Sequence, residues 1–128
     1  MRRVALFIST LLVGTSLFVS CKEERTPMEA AEHYYHYLVK GDVDHYLRGM
    51  ADYDSLPEDY RSQLHDMHLQ FLENEKELRG GLASARALRD TLVDKNHAFV
   101  FLELAYGDST HEQISLPLVL TSQGWRLR

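Results

Sequence analysis

The chain has 128 residues, of which 14 are basic and 19 are acidic, so its formal net charge is −5 at pH 7. A net negative chain excludes nucleic acid as an expected partner, because phosphates attract the opposite charge. It also excludes attachment to an anionic membrane by surface charge alone. The length suits one domain with its own core.

The first twenty residues have the pattern of a secretory signal peptide. Arg2 and Arg3 precede an apolar run from Val4 to Val19, which small hydroxyl residues and Gly14 interrupt. A spanning helix needs about 20 predominantly apolar residues. This shorter, interrupted run therefore predicts that residues 1–20 are a signal peptide that is removed on export.

The single cysteine of the chain, Cys21, directly follows this run and Ser20. The Ser20–Cys21 pair resembles a bacterial lipobox, in which cleavage makes the cysteine the first mature residue and its sulfur carries a diacylglycerol. Phe18 departs from that pattern, where leucine is usual. Each buried methylene contributes about 0.8 kcal/mol, so a lipidated Cys21 predicts a durable membrane anchor and an outer-membrane lipoprotein. The alternative is a plain signal peptide with an incidental cysteine.

Lys22, Glu23 and Glu24 come next. A lysine and two acids beside a lipidated cysteine resemble the surface-export signal of lipoproteins in one phylum of gut-associated Gram-negative bacteria, which implies the outer face of the outer membrane. The alternative is a short solvated tether, with the domain facing the periplasm. In both cases residues 21–25 are the lipidated cysteine and its tether, and residues 26–128 are the folded domain.

Thr26, Pro27 and Glu29 predict the start of a helix. The Thr26 side chain can accept from the amide of Glu29, and proline suits the first helical position. The helix is predicted to run to Lys40, with Gly41 as a left-handed cap. Its apolar stripe consists of Met28, Ala31, Tyr34, Tyr35, Leu38 and Val39.

Two further helices are predicted before residue 80. Asp42 can cap a short helix that ends at about Gly49. Ser55 and Glu58 have the spacing of a capping box, which predicts a long helix over residues 56–79. One face of that helix repeats apolar residues, namely Tyr60, Leu64, Met67, Phe71 and Leu78.

After Gly81 the periodicity changes to that of strands. Residues 83–93, 97–106, 110–120 and 125–127 predict an antiparallel meander of four strands. Pro117 cannot donate to a ladder, so it predicts an edge or a bulge. The second strand is apolar on both faces, which predicts a central strand covered on both sides. Which face meets the helices is left open, because a slip of one residue reverses the faces.

Helices followed by an antiparallel sheet predict an α+β fold. Four pieces then carry a resemblance: TPMEAA, LVKGD, YGD and PLVL with GWRL. The chain resembles, over residues 26–128, small bacterial lipoproteins with a nuclear-transport-factor-two-like (cystatin-like) cone domain of unknown function, described as lumazine-binding-like. The resemblance implies N-terminal helices packed on a curved four-stranded sheet. Ser109 stands where the family has glycine, which implies a strained or wider turn.

Two histidine pairs at helical spacing, His33 with His36 and His65 with His68, could in principle hold a metal ion. A helical wheel places them opposite or beside the apolar stripes. We therefore predict solvated surface histidines, no metal site and no cofactor.

Enzymes with the cone fold use an acid or base on the inner sheet face. Glu103 is the one strand-interior acid in an apolar run, which makes it a weak catalytic candidate. The alternative is a salt bridge with Arg86 or Arg89 on the first strand. Because the chain has no catalytic signature, we predict that it is not an enzyme.

Tyrosines are the candidate lining of a pocket in the cone. Tyr34, Tyr35 and Trp125 could offer stacking faces and polar tips to a ligand, although core packing is the alternative. We predict a membrane-anchored module that binds a small molecule or a peptide. The alternative is a structural subunit that docks through its sheet face, as a homodimer or within an envelope complex, and an enzyme is the least expected of the three.

Overall fold

A computed structural model of the protein describes residues 25–128. The predicted signal peptide, the lipidation of Cys21 after Ser20 and the export signal at residues 22–24 lie outside the described residues. Within the described part, no helix is long and apolar enough to cross a membrane.

The first helix, α1, covers Pro27–Val39. The Thr26 side chain accepts from the amide of Glu29 at 3.2 Å, and Pro27 occupies the first helical position, as predicted. The chain leaves the helix through Gly41, whose φ of 79° confirms the left-handed end. One face of the helix is buried, through Ala30, Ala31, Tyr34, Tyr35 and Leu38.

The second helix, α2, covers Val43–Arg48. The Asp42 side chain accepts from the amide of His45 at 3.1 Å, so the predicted cap is confirmed. Val43 and Leu47 are buried, and they join α2 to the core.

The long helix, α3, covers Glu58–Arg79, and its predicted capping box is wrong. Ser55 ends a short 3-10 turn, Tyr53–Ser55, in which its hydroxyl donates to the carbonyl of Asp52 at 2.7 Å. Pro57 occupies the cap position and makes no side-chain cap bond. The helix therefore begins two residues later than predicted.

Helix α3 contributes no fully buried residue to the domain. Leu64 and Leu72 are half-buried and pack at the margin of the core. In contrast, Met67 is 62% exposed and Leu78 is 76% exposed. The apolar stripe predicted for this helix is therefore largely uncovered.

Four strands form one antiparallel sheet in the order β1-β2-β3-β4, which confirms the predicted meander. A register shift between Ala87 and Arg89 interrupts the β1–β2 pairing, and a bulge of this kind bends a sheet. Helices on a curved four-stranded sheet confirm the predicted α+β fold. The strands are β1 Leu82–Asp94, β2 His97–Tyr106, β3 His111–Thr121 and β4 Gly124–Leu127.

Alternation along β2 separates the inner face, which meets the helices, from the outer face. Val100, Leu102 and Leu104 are at most 1% exposed and form the centre of the core. Phe99 and Phe101 lie on the other face, where no described helix covers them. The prediction that this strand is covered on both sides is therefore wrong, because alternation places every second residue on the open face.

Pro117 lies on β3 opposite Phe99, in a β2–β3 register without a shift, so it marks no bulge there. Its carbonyl accepts from the amide of Arg128 at 3.1 Å, at the last rung of the β3–β4 ladder. The N–H and C=O of one residue point to the same side of a strand. The missing N–H of Pro117 would therefore have pointed towards β4, at the end of the β3–β4 ladder. This agrees with the prediction that Pro117 lies at an edge of the hydrogen-bonded sheet.

The β2–β3 hairpin closes against the C-terminal end of α3. The amide of Asp108 donates to the carbonyl of Arg79 at 2.8 Å, and the amide of Gly107 donates to the carbonyl of Gly81 at 2.9 Å. A Cβ on Gly107 would lie 2.3 Å from the carbonyl oxygen of Gly80. Glycine is therefore required here by a close backbone approach.

Ser109 has a φ of 71°, and among the described residues it alone combines a side chain with a positive φ. The Asp108 carboxylate supports the turn by accepting from both the amide of Thr110 at 3.0 Å and its hydroxyl at 2.6 Å. The strain that the family comparison implied at Ser109 is therefore present.

Candidate functional site

An open cleft of about 300 Å³ lies between α3 and the pair formed by α1 and α2. Its walls come from three helices, and most of them are apolar or aromatic. Buried side chains of α1 fix one wall, while the half-exposed face of α3 supplies the other. The lining residues are Tyr35, Leu38, Tyr46, Met67, His68 and Phe71.

Aromatic rings contact one another along this cleft. The ring centroid of Tyr46 lies 5.9 Å from that of Tyr35, edge to face, and 5.4 Å from the His68 ring. The His68 Nδ1 lies 2.7 Å from the carbonyl of Leu64, and it must donate because a carbonyl only accepts. This bond fixes the orientation of the imidazole ring and leaves its Nε2 for another partner.

The tyrosine hydroxyls of the cleft are held in their protonated form. Burial raises the pKa of Tyr46 to about 12. Burial also raises the pKa of Tyr35, and the neighbouring Tyr46, Tyr106 and Glu112 raise it further. Both hydroxyls are therefore neutral at pH 7, so each can donate a hydrogen bond to a ligand oxygen.

A charged cluster joins the end of α3 to the inner sheet face near Tyr35. Arg79 places Nε 3.4 Å from a Glu75 carboxylate oxygen and a terminal nitrogen 3.4 Å from a Glu112 oxygen. The Arg79 guanidinium lies over the Tyr106 ring, 4.6 Å from its centroid. Burial, together with the hydrogen bond to Glu112, raises the pKa of Tyr106 as well.

No protein-family model and no curated protein matches the sequence of this chain. A solved structure from Campylobacter jejuni, named as a candidate NTF2-like transpeptidase, is similar in structure with a TM-score of 0.63. The two chains are 13% identical, and the match covers 80% of this chain and 97% of the other. At that identity the likeness concerns the fold. The fold is the nuclear-transport-factor-two-like cone. Its helices and curved sheet here match the predicted architecture.

The three candidate pocket residues of the cone do not come together. Tyr35 lines the cleft, whereas its neighbour Tyr34 points to a second pocket on the other side of α1, beside Arg126. Trp125 is half-buried and packs against the core from β4. Successive residues on a helix differ by about 100° in direction, which separates the two tyrosines.

Glu103 lies on the outer face of the cone's sheet, away from the cleft. One carboxylate oxygen lies 3.3 Å from the Arg86 guanidinium and 3.6 Å from Nδ1 of His111. This is the salt-bridge alternative of the sequence analysis. Glu103 therefore does not supply a base to the inner face of the sheet.

The prediction that all four paired histidines are solvated is wrong for three of them, since only His36 is exposed and His65 is half-buried. His68 lines the cleft, and His33 is half-buried with its ring 5.1 Å from that of Tyr37. Within residues 25–128 no group of three or more His, Cys, Asp or Glu side chains could hold a metal ion.

Sequence reasoning missed Tyr46, Met67, His68 and Phe71 as cleft residues. Met67 and Phe71 were assigned to an apolar stripe, and a stripe does not show whether it packs or borders a gap. One feature of the sequence could have indicated the cleft. His68 lies at the border of the apolar stripe on the helical wheel, where a polar ring beside apolar residues is typical of a pocket edge.

Proposed function

We propose that the protein is a lipid-anchored binding module of the bacterial outer membrane, which holds a small molecule or a short peptide in the cleft of the cone. The single observation that carries this proposal is the cleft itself, about 300 Å³ and lined mainly by aromatic and apolar side chains. Its volume lies at the lower end of the range of small-molecule sites, which is about 300–1,000 Å³.

The lining favours a ligand with an apolar or aromatic body and a polar acceptor at one end. Met67 and Phe71 offer apolar contact, and the Tyr46 ring offers a stacking face. The protonated Tyr35 and Tyr46 hydroxyls supply donors, for which a carbonyl or carboxylate oxygen is the matching group.

A non-catalytic role is part of the proposal. Among the described residues, the lining of the cleft includes no serine, threonine or cysteine, the side chains that most often serve as nucleophiles in acyl transfer. Glu103 is paired with Arg86 on the opposite face of the sheet. The Campylobacter protein's transpeptidase name gives this chain no activity at 13% identity, since one fold hosts many functions.

A ligand screen on the unlipidated mature chain, residues 21–128 with Cys21→Ser, tests the binding role. A compound that binds only the folded state raises the unfolding midpoint. Met67→Ala should reduce that rise, because Met67 lines the cleft. Leu78→Ala is the matched control, since Leu78 is a similarly exposed apolar residue of α3 that does not line it. If no ring compound or peptide shifts the midpoint, the binding role is wrong.

The anchor is tested separately by Cys21→Ser in the full precursor. We expect this variant to escape lipid-dependent processing and to be lost from the outer-membrane fraction, because two or three acyl chains would otherwise hold the protein there. Ser20→Ala is the control, since it keeps a small residue before the cysteine. A Cys21→Ser protein that is cleaved at the same bond and stays in the membrane would contradict the anchor.

Docking through the sheet is the second candidate. The outer face exposes 37% of Phe99, which favours a protein contact there. The same face carries the Arg86–Glu103 ion pair, and the Arg89 guanidinium covers the Phe101 ring at 4.3 Å. A mixed face of this kind supports docking less than a continuous apolar one would. Sedimentation at several concentrations tests the homodimer.

A further inference from the structure

A second pocket, of about 170 Å³, lies on the side of α1 opposite the cleft. We call it the cationic pocket, because three arginines and two histidines line it together with aromatic rings. The five cationic or titratable residues are Arg25, Arg48, Arg126, His33 and His45.

None of the described residues that line the cationic pocket is a carboxylate. Two acids of α2 and its cap lie beside it and compensate part of its charge. Asp44 is 3.0 Å from Nε of Arg48, and Asp42 is 2.7 Å from Nδ1 of His45. Arg126 has no carboxylate partner among residues 25–128.

Arg126 is also held in place before any ligand arrives. One terminal nitrogen donates to the Gln123 side chain at 3.1 Å, and the guanidinium carbon lies 5.9 Å from the centroid of the Tyr34 ring. Gly49 lets that ring approach closely, since a Cβ there would lie 2.4 Å from it. A fixed guanidinium loses little side-chain entropy on binding.

The Nε of Arg126 is buried and has no hydrogen-bond partner within the described chain. Buried donors of native proteins are almost always paired, and an unpaired one calls for an acceptor. Acceptors that match several guanidinium groups at once are the oxygens of phosphate-type anions. The chain as a whole is net negative, so its overall charge would repel an anion, and any attraction must come from the local arginines.

We propose that the cationic pocket binds one phosphate-type oxyanion, either a soluble phosphate ester or the headgroup of an anionic phospholipid. The volume suits one charged group rather than a whole drug-sized ligand. Arg25 is four residues from Cys21, a reach of about 14 Å for extended chain. A headgroup beside the proposed anchor therefore lies within reach of the pocket. The site itself does not depend on lipidation.

The test uses the mature chain with Cys21→Ser, so that no acyl chain contributes to binding. Inorganic phosphate and glycerol phosphate are titrated by calorimetry and by backbone amide shifts. Vesicles of phosphatidylcholine with and without phosphatidylglycerol are tested by cosedimentation. We expect saturable binding that Arg126→Gln weakens about tenfold or more, the loss expected for a charged hydrogen bond.

Arg48→Gln provides a second variant that will fold, because the Arg48 side chain is 62% exposed. Arg86→Gln is the matched control, since it removes the same charge from the outer sheet face, where its side chain is 69% exposed. We expect both pocket variants to lose affinity and the control to keep it.

The outcomes separate the two sources of the oxyanion. Binding to phosphatidylglycerol vesicles that soluble esters do not displace supports a headgroup, and binding of the soluble esters alone supports a free phosphate ester. Absence of saturable binding to every probe overturns the proposal. Equal loss in Arg86→Gln and in the pocket variants also overturns it, because binding would then follow net charge only.

Discussion

The Tyr106 hydroxyl donates a 2.7 Å hydrogen bond to Glu112, and the same carboxylate oxygen lies 3.4 Å from Arg79. The inner face of the sheet is thereby connected to the last turn of α3. That connection matters because α3 buries no residue completely. Polar contacts at the end of the helix therefore hold a wall of the cleft that apolar packing holds only weakly.

Glu112→Ala should loosen α3. It leaves the Tyr106 hydroxyl, on a side chain only 3% exposed, without its acceptor, which costs about 1–3 kcal/mol of the free energy of unfolding. Amide exchange in the last turns of α3 should accelerate. Glu103→Ala, which breaks an exposed ion pair on the outer face, should cost at most about 1 kcal/mol. Unchanged exchange in α3 would contradict the connection.

The domain should lose stability in alkali through its buried tyrosines. The folded pKa of Tyr46 is about 12, against about 10 for an unfolded tyrosine. The folded state then binds more protons than the unfolded state, so this contribution is complete below about pH 10 and is lost as the pH rises towards 12. Denaturant unfolding between pH 9 and 12 measures it.

Tyr46→Phe should flatten that alkaline decline, whereas Tyr60→Phe, on a side chain 47% exposed, should leave it unchanged. Phenolate absorbance gives a second measurement, since the most buried tyrosines should ionise only as the domain unfolds. If the free energy of unfolding falls equally steeply with pH in the wild type and in Tyr46→Phe, the alkaline loss of stability does not come from Tyr46.

Ser109→Gly should stabilise the protein by up to about 1 kcal/mol. The left-handed conformation costs an L-residue about 1–2 kcal/mol, and the greater chain entropy of glycine in the unfolded state offsets part of the gain. Ser122→Gly in the β3–β4 turn is the control, because Ser122 has no positive φ to relieve. It should destabilise slightly, and the midpoint of thermal unfolding distinguishes the two.

Gly107→Ala should cost more than about 2 kcal/mol, because its Cβ would meet the carbonyl oxygen of Gly80 at 2.3 Å and force the hairpin away from α3. Gly41→Ala is the comparison, since Gly41 has a positive φ and open space around it. That substitution should cost only about 1 kcal/mol of conformational strain. Chemical denaturation of both variants ranks them, and a smaller loss at Gly107 would be the unexpected result.

Much of the fold was predictable from local chemistry. The cap at Thr26, the proline after it and the left-handed glycine at 41 each act within a few residues, so their outcome depends little on the rest of the chain. The same holds for the four strands and their turns. Ser55 is not the cap because it ends a short 3-10 turn, where its hydroxyl donates to the Asp52 carbonyl, and Pro57 occupies the cap position instead.

The site was harder to predict, because it depends on how elements meet. From the sequence, either Val100 and Leu102 or Phe99 and Phe101 could form the inner face of β2. A register shift of one residue, such as the one in β1, exchanges the two faces, so the local sequence pattern does not decide between them. Likewise Phe71 satisfies the same periodicity whether it packs in a core or borders a cleft. Only the separation of α3 from α1 decides between them.

That separation has a consequence for what the cleft can hold. The wall bearing Met67, His68 and Phe71 belongs to a 22-residue helix whose apolar side is mostly open, so few apolar contacts oppose an outward movement of its middle, while the polar contacts of Arg79 hold its end. The wall bearing Tyr35 and Leu38 belongs to the core and stays fixed. If the cleft binds a ligand as proposed, ligands of different sizes should therefore contact the same residues, with α3 adjusting its distance from α1.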